Sequence, residues 1–377
     1  MRYTSGPRPP LHVVRLAASG LGLLLACLAG TSRLAAAASL ELTIPSDTVS
    51  LAATLYVPEE NSRRLGVVIL HGSGDWDRHA PIPRRMIDCL LEAGLVVLDF
   101  DKRGIGGSTG TYSDNINLEE RAVDAAAAIR MLRARPEVDR VGLWGVSQGG
   151  WVGTMIAARD PDLAFAILVS SPGVSPVEQM LYQRMERLRD EGWTDAEVEE
   201  AWPLRRLLWD YYRTGEGRDE LERSWSAARA RPWFPKLNWG EQPPTRDALN
   251  SGQRSFYQVT GIYDPVPDLE RISTPLLCFF GAKDRHIPVE ASIAALRGAL
   301  GRNPGARATI ELLPEAGHGM QIVAGSRENL KEMEAIHQTG ATSHGASLPQ
   351  FLLDPEYCHR LRRWLDRAAL GSKHAGE

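Results

Sequence analysis

Apolar residues along the chain fall first in an alternating rhythm and then in solid blocks. Leu40 to Ile44 and Leu51 to Val57, joined through Pro45, Ser46 and Asp47, alternate apolar with polar positions and predict a half-exposed antiparallel pair. Leu65 to Leu70, Leu95 to Phe100, Val141 to Trp144, Ala164 to Val169, Leu276 to Phe280 and Thr309 to Leu313 are compact, largely apolar runs. Such runs predict strands buried on both faces of a mainly parallel sheet. Helical spacing fills the gaps. Ala122, Ala125, Ala126, Ile129 and Leu132 recur within Leu118 to Arg133, and Gly150 to Arg159 and Ser292 to Leu300 also read as helices. Asp354 and Pro355 supply an N-cap and first position for a helix through Leu361, Trp364, Leu365 and Leu370. The fold class is therefore α/β, built of βα units.

Between Pro172 and Thr274 the texture changes to long charged helices, many prolines and six of the ten tryptophans: Trp193, Trp202, Trp209, Trp225, Trp233 and Trp239. Thr194 and Glu197 form a capping box behind Trp193, and Leu181, Met185 and Leu188 make a stripe in the preceding helix. The segment predicts a helical cap inserted after the strand at Ala164 to Val169, with its tryptophans fastening a thin core or lining a cleft. The expected organisation is a leader over 1–38, a core first part over 39–173, the cap over 174–274 and a core second part over 275–377. Residues 339–350, rich in Gly, Ser and Thr, read as a surface loop.

The leader rests on Arg2, Arg8 and Arg15 ahead of an apolar run from Leu16 to Gly30, with Ala35 to Ala38 as small residues for cleavage. That run is short for a membrane span, which needs roughly 20 residues. Export to the periplasm or beyond, with no integral span in the mature chain, is the expectation. Leu24, Leu25, Ala26 and Cys27 loosely resemble a lipobox, which makes a lipid anchor at Cys27 the alternative. The whole chain carries 43 Lys+Arg against 47 Asp+Glu, a net charge of −4. Loss of Arg2, Arg8, Arg15 and Arg33 takes the mature charge to −8. An acidic chain is a poor nucleic-acid binder, so no nucleic-acid partner is expected. Cys89, Cys278 and Cys358 then remain and permit one bridge at most, so stability must come from a core.

The sharpest chemical signal is Gly145-Val146-Ser147-Gln148-Gly149, directly after an apolar run and directly before a helical stretch. In that context the pattern describes a nucleophile elbow, whose turn is too tight for Cβ atoms at 145 and 149. A serine needs a base, and the base needs a carboxylate to orient it. In this architecture the partners follow in the order acid, then His. Asp284 follows the run ending at Phe280, and His318 follows the run ending at Leu313. Both fall at carboxyl ends of strands, where sites of α/β sheets assemble. Asp264, His286, His337, His344 and His359 are less well placed. An oxyanion hole needs two N–H donors. Gln148, after the serine, is one, and Ser73, in the loop His71-Gly72-Ser73-Gly74, is the other, with Gly72 and Gly74 permitting close approach. His71 is expected to brace that loop.

With these residues in place, the chain from about residue 40 to 370 resembles the α/β-hydrolase superfamily, in particular bacterial esterases related to serine aminopeptidases and dipeptidyl-peptidase-like hydrolases. Beyond the elbow at Ser147, the resemblance rests on His71-Gly72-Ser73-Gly74 with Asp77 and Arg78 close behind. It also rests on Asp101 to Gly104 with Gly106 and Ser108, on Tyr263 to Pro267, on Gly281 with Asp284, and on Gly317-His318-Gly319. It implies the α/β-hydrolase fold with an inserted helical cap, a Ser147–Asp284–His318 triad and acyl transfer without a cofactor. The implied substrate is a small carboxylic ester, with a short peptide as the alternative. Asp75, where proline is expected, and the long stretch after His318 depart from the pattern and flank the site. A dinucleotide-binding reading of Gly104 and Gly106 fails at Thr109, and no H-E-x-x-H marks a metal hydrolase. A non-catalytic binding relative is the alternative of another class.

Overall fold

The apolar runs assemble into one eight-stranded sheet in a computed structural model that describes residues 37–113, 118–323 and 353–370. Its strands are β1 (Ala37–Ser46), β2 (Val49–Pro58), β3 (Leu65–Leu70), β4 (Val96–Phe100), β5 (Arg140–Val146), β6 (Ala166–Val169), β7 (Leu276–Gly281) and β8 (Ala308–Leu313). Their order is β1-β2-β4-β3-β5-β6-β7-β8. The first two form a hairpin closing at Ser46 opposite Val49, and β2 runs antiparallel to β4. From β4 to β8 every pairing is parallel. All residues of β3, β4, β6 and β7 are buried, which is why those runs are solidly apolar.

Helices among the described residues are α1 (Pro81–Glu92), α2 (Leu118–Arg133), α3 (Gln148–Arg159), α4 (Pro176–Asp190), α5 (Asp195–Thr214), α6 (Arg218–Ala228), α7 (Ser251–Gln258), α8 (Val266–Leu269), α9 (Val289–Gly301) and α10 (Pro355–Leu370). One face of the sheet packs on α2, α3 and α9. The other packs on α1 and α10, where Leu90, Leu361 and Trp364 meet Trp144 and Phe279. Trp144 donates its indole N–H to the buried Tyr357 hydroxyl at 2.8 Å. Helix α1 is absent from the sequence reading. Its signal was Met86, Ile87, Leu90 and Leu91, a buried stripe behind a proline-started first turn.

Among the described residues, Cys89 on α1 and Cys358 on α10 are bridged, and Cys278 is free and buried. The bridge closes a loop spanning 269 positions, and such a closure is worth about 5–6 kcal/mol in the chain-entropy picture. It ties α10 to α1 without drawing on core area.

Between β6 and β7 lie α4 to α8. This segment has a core of its own, with Leu188, Trp193, Val198, Leu204, Trp225 and Trp233 buried together. Trp225 stacks on Trp239 at 5.2 Å between ring centroids. Capping boxes start α4 at Ser175 and Glu178 and α5 at Thr194 and Glu197. The tryptophans Trp193, Trp225 and Trp233 are thus packing residues. Residues 1–36 with Cys27, His337, His344 and the stretch 339–350 lie outside the described residues.

Candidate active site

Four parallel strands deliver the residues of interest to one edge. β5 ends at Val146, and Ser147 follows with φ 54 and ψ −119 before α3 begins. A positive φ is strained for a residue with a Cβ, and the surrounding backbone over-determines it. Ser147 N donates to Val169 O at 2.9 Å, and Gly150 N donates to Ser147 O at 2.8 Å. A Cβ on Gly145 would collide with the Gly149 carbonyl, and one on Gly149 with the Leu70 carbonyl. The turn therefore admits only glycine at both positions. Ser147 is half-buried and Gln148 buried, each at the start of α3, where backbone N–H groups lack intrahelical partners.

Beyond β7, Asp284 is 4% exposed, and beyond β8, His318 is 6% exposed. His318 Nδ1 lies 2.8 Å from Asp284 Oδ2. Asp284 Oδ1 accepts from the backbone N–H groups of His286 at 2.8 Å and Ile287 at 3.3 Å. Burial alone would push the Asp284 carboxyl up, but the His318 ring, its hydrogen bond and the His286 N–H outweigh it and hold the group below its ordinary value. An ionised Asp284 makes Nδ1 the protonated nitrogen of His318, which leaves Nε2 as the basic one. The His318 backbone is pinned by Ser170, whose hydroxyl donates to His318 O at 2.7 Å.

The third component is the loop after β3. A Cβ on Gly72 would sit 3.4 Å from Ser147 Cβ and 4.0 Å from its Oγ, so this loop passes directly beside the serine. Ser73 is exposed and Gly74 has φ 92. Lys102 Nζ donates to the carbonyl oxygens of Gly72, at 3.0 Å, and Gly74. His71 Nε2 meets Asp99 Oδ1 at 2.6 Å with both groups buried, which braces the base of the loop. Asp101 accepts from Arg78 and from the Gly107 N–H at 2.8 Å. The Asp77-Arg78 and Asp101-to-Ser108 motifs therefore stitch two loops together.

The structure brings Ser147 beside Gly72, and Asp284 onto His318. No hydrogen bond joins Ser147 Oγ to His318 among the described residues, and such bonds often tighten only in the substrate complex. Asp264 is exposed and accepts from Val266 N, and His359 is exposed on α10. Lys102, Ser170 and His286 were missed as contributors from sequence. A cavity bounded by Leu70, His71, Phe100, Tyr112 and Val152 lies behind the loop, and Ser147, Asp284 and His318 do not line it. Among the described residues no helix is long and apolar enough to cross a membrane.

The sequence pattern of the alpha/beta hydrolase family matches residues 67–327, a span that opens in β3 and includes Ser147, Asp284 and His318. The chain belongs to the alpha/beta hydrolase family. As a member of that family it is similar to esterase EstD of Thermotoga maritima, 24% identical over 237 residues that make up 61% of this chain and 49% of that protein. It is also similar to thiohydrolase apmlB of Arthrinium phaeospermum, 34% identical over 79 residues, 20% of this chain and 26% of that one. The chain thus spans about half or less of the length of these curated relatives. The esterase Pf2001 of Pyrococcus furiosus shares the hydrolase fold at a TM-score of 0.52 and 17% identity, covering 88% of this chain and 91% of that one. So does a proline iminopeptidase of Mycobacterium smegmatis, at 0.51 and 16%, covering 89% and 100%.

Proposed function

We propose that this hydrolase-family member cleaves carboxylic esters through an acyl-enzyme at Ser147. The observation that supports it most is the positive-φ serine at the head of α3, set on the same sheet edge as the Asp284–His318 couple. In this reading His318 Nε2 takes the Ser147 proton, and the alkoxide attacks the ester carbonyl. The oxyanion is held by the N–H groups of Gln148 and Ser73. Collapse expels the alcohol with the proton from His318. Water then gives a proton to His318, attacks the acyl-enzyme and releases the acid, returning the hydroxyl to Ser147. Asp284 keeps the imidazole in the required tautomer. The route draws on protein groups and water alone.

A peptidase that takes a free amino terminus needs an uncommitted carboxylate beside the site. The insertion's carboxylates nearest the acid loop, Glu186 and Asp190, are both paired with Arg285. That commitment favours esters over peptides. A panel of p-nitrophenyl esters of short and long acids, set against aminoacyl p-nitroanilides, tests the preference. Esters are expected to turn over and the anilides to lag far behind, and hydrolysis of the anilides alone would overturn it.

We also propose that the protein is exported, on the strength of the leader pattern and the Cys89–Cys358 bridge, since disulfides persist in oxidising compartments. Mass spectrometry of protein taken from its own host is expected to show an N-terminus near residue 39 and an oxidised Cys89–Cys358 pair. A chain that begins at Met1 with all thiols reduced contradicts export, and a lipid on Cys27 supports the anchored alternative.

A further inference from the structure

One face of α4 carries Gln179, Gln183, Glu186 and Asp190, at positions i, i+4, i+7 and i+11. Polar residues at that spacing ordinarily mark a solvated surface. Here all of them grip two residues of the acid loop. Gln179 Nε2 donates to His286 O at 2.6 Å, and Gln183 Nε2 lies 2.9 Å from His286 Nδ1. Arg285 Nε donates to Glu186 Oε2 at 2.5 Å, Nη2 donates to Glu186 O at 3.0 Å, and Nη1 donates to Asp190 at 2.9 Å. Those two residues immediately follow Asp284, and His286 N is itself one of the donors to the Asp284 carboxylate.

The same contact reaches the base. The His286 ring lies 4.8 Å from the His318 ring, tilted by 36°. Because the Gln183 amide nitrogen can only donate, His286 Nδ1 is its acceptor and the proton sits on Nε2. Burial, then the neighbouring His318, pushes the His286 pKa down to about 3, so the ring stays neutral and does not compete for the proton that His318 must carry. Its Nε2 is buried and has no hydrogen-bond partner among the described residues. The ring thus meets His318 by packing.

We propose that His286, clamped by Gln183 and Gln179 of α4, is a positioning residue for His318, so that the insertion is a working part of the Asp284–His318 couple. The inference rests on the serine-hydrolase reading of the same site. It makes α4 a fixed arm, in contrast to a lid that swings from its first helix, because withdrawing α4 would strip four side chains from the acid loop at once.

The test compares full-length wild type with His286→Ala, His286→Phe and Gln183→Leu. It reads kcat and KM on a p-nitrophenyl ester, the rate of inactivation by a small fluorophosphonate, and Tm. Loosening the base is expected to lower kcat on the order of 10- to 100-fold in His286→Ala, since small misplacements of a catalytic group cost about that much. KM should stay within about twofold, because binding shared equally by ground and transition states is untouched. The fluorophosphonate rate should fall with kcat, since it reads the activation of Ser147 without substrate recognition. His286→Phe keeps the ring wall and is expected to recover most of the loss, and it decides the matter if His286→Ala does not fold. A rise in KM at unchanged kcat would make His286 a substrate contact and overturn the proposal. So would inactivation rates in the variants equal to that of a wild type labelled at Ser147. A wild type that takes no label at all would overturn the serine-hydrolase reading and this inference with it.

Discussion

Ser147→Ala is expected to abolish turnover and leave the fold unchanged. Removal of a triad nucleophile costs on the order of a millionfold in kcat, about 8 kcal/mol of transition-state stabilisation. The change is nearly silent structurally. Alanine carries the same Cβ into the positive-φ turn, and the bonds that hold the turn, Ser147 N to Val169 O and Gly150 N to Ser147 O, are made by backbone. The hydroxyl is half-buried and its loss leaves no cavity of consequence. Steady-state kinetics with the best ester of the panel and a thermal melt together check the outcome. A variant that melts like wild type yet keeps more than about one hundredth of its kcat would move the nucleophile elsewhere. Loss of His318 is expected to be as severe and not additive with loss of Ser147, because the members act as a unit.

Asp284→Asn is expected to lower kcat by about 10⁴ while the imidazole stays in place. The amide is nearly isosteric, but its NH₂ faces His318 Nδ1 and turns it into an acceptor. The proton then moves to Nε2, the nitrogen that must receive it from Ser147. The same substitution has a signature in stability. In wild type the folded Asp284 carboxyl titrates below its ordinary value of 3.8. A depressed carboxyl contributes stability that is complete above the unfolded pKa and is lost as pH falls through the folded one. The wild type should therefore lose this contribution only in acid, starting near pH 4. The asparagine variant should show a shallower acid limb in melts recorded from pH 3 to 7. An Asn variant with kcat within tenfold of wild type would remove Asp284 from the couple.

The legible parts of the sequence were those whose physical cause is local. β3, β4, β6 and β7 are covered by helices on both faces, so each is a block of apolar residues that needs no periodicity to be seen. The elbow is legible for the same reason, since the collisions that demand glycine at 145 and 149 arise within one strand–turn–helix unit and its neighbour strand. Asp284 and His318 could be picked only through chain order and strand ends. Their sequence neighbours give no hint that a 2.8 Å contact joins them.

What escaped depends on how distant segments meet. Cys89 and Cys358 are 269 positions apart, and the sequence leaves the pairing of Cys89, Cys278 and Cys358 open until α1 and α10 are seen side by side. Lys102 reads as one member of a charged turn, yet its ammonium group holds the carbonyls of Gly72 and Gly74. Ser170 reads as the end of a strand, yet its hydroxyl anchors the backbone of His318. His286 reads as less well placed than His318, yet its ring packs against the His318 ring. The polar stripe of α4 misleads in the same way, because its partners, Arg285 and His286, lie 99 to 107 positions further along the chain.

Direct capture of the intermediate tests the central claim most plainly. The purified protein is mixed with a p-nitrophenyl ester, quenched with acid during turnover, and examined by intact mass and peptide mapping. One acyl group on the peptide that contains Ser147, absent from Ser147→Ala, is the expected result. Turnover with no acylated enzyme, or an acyl group on another residue, would contradict it.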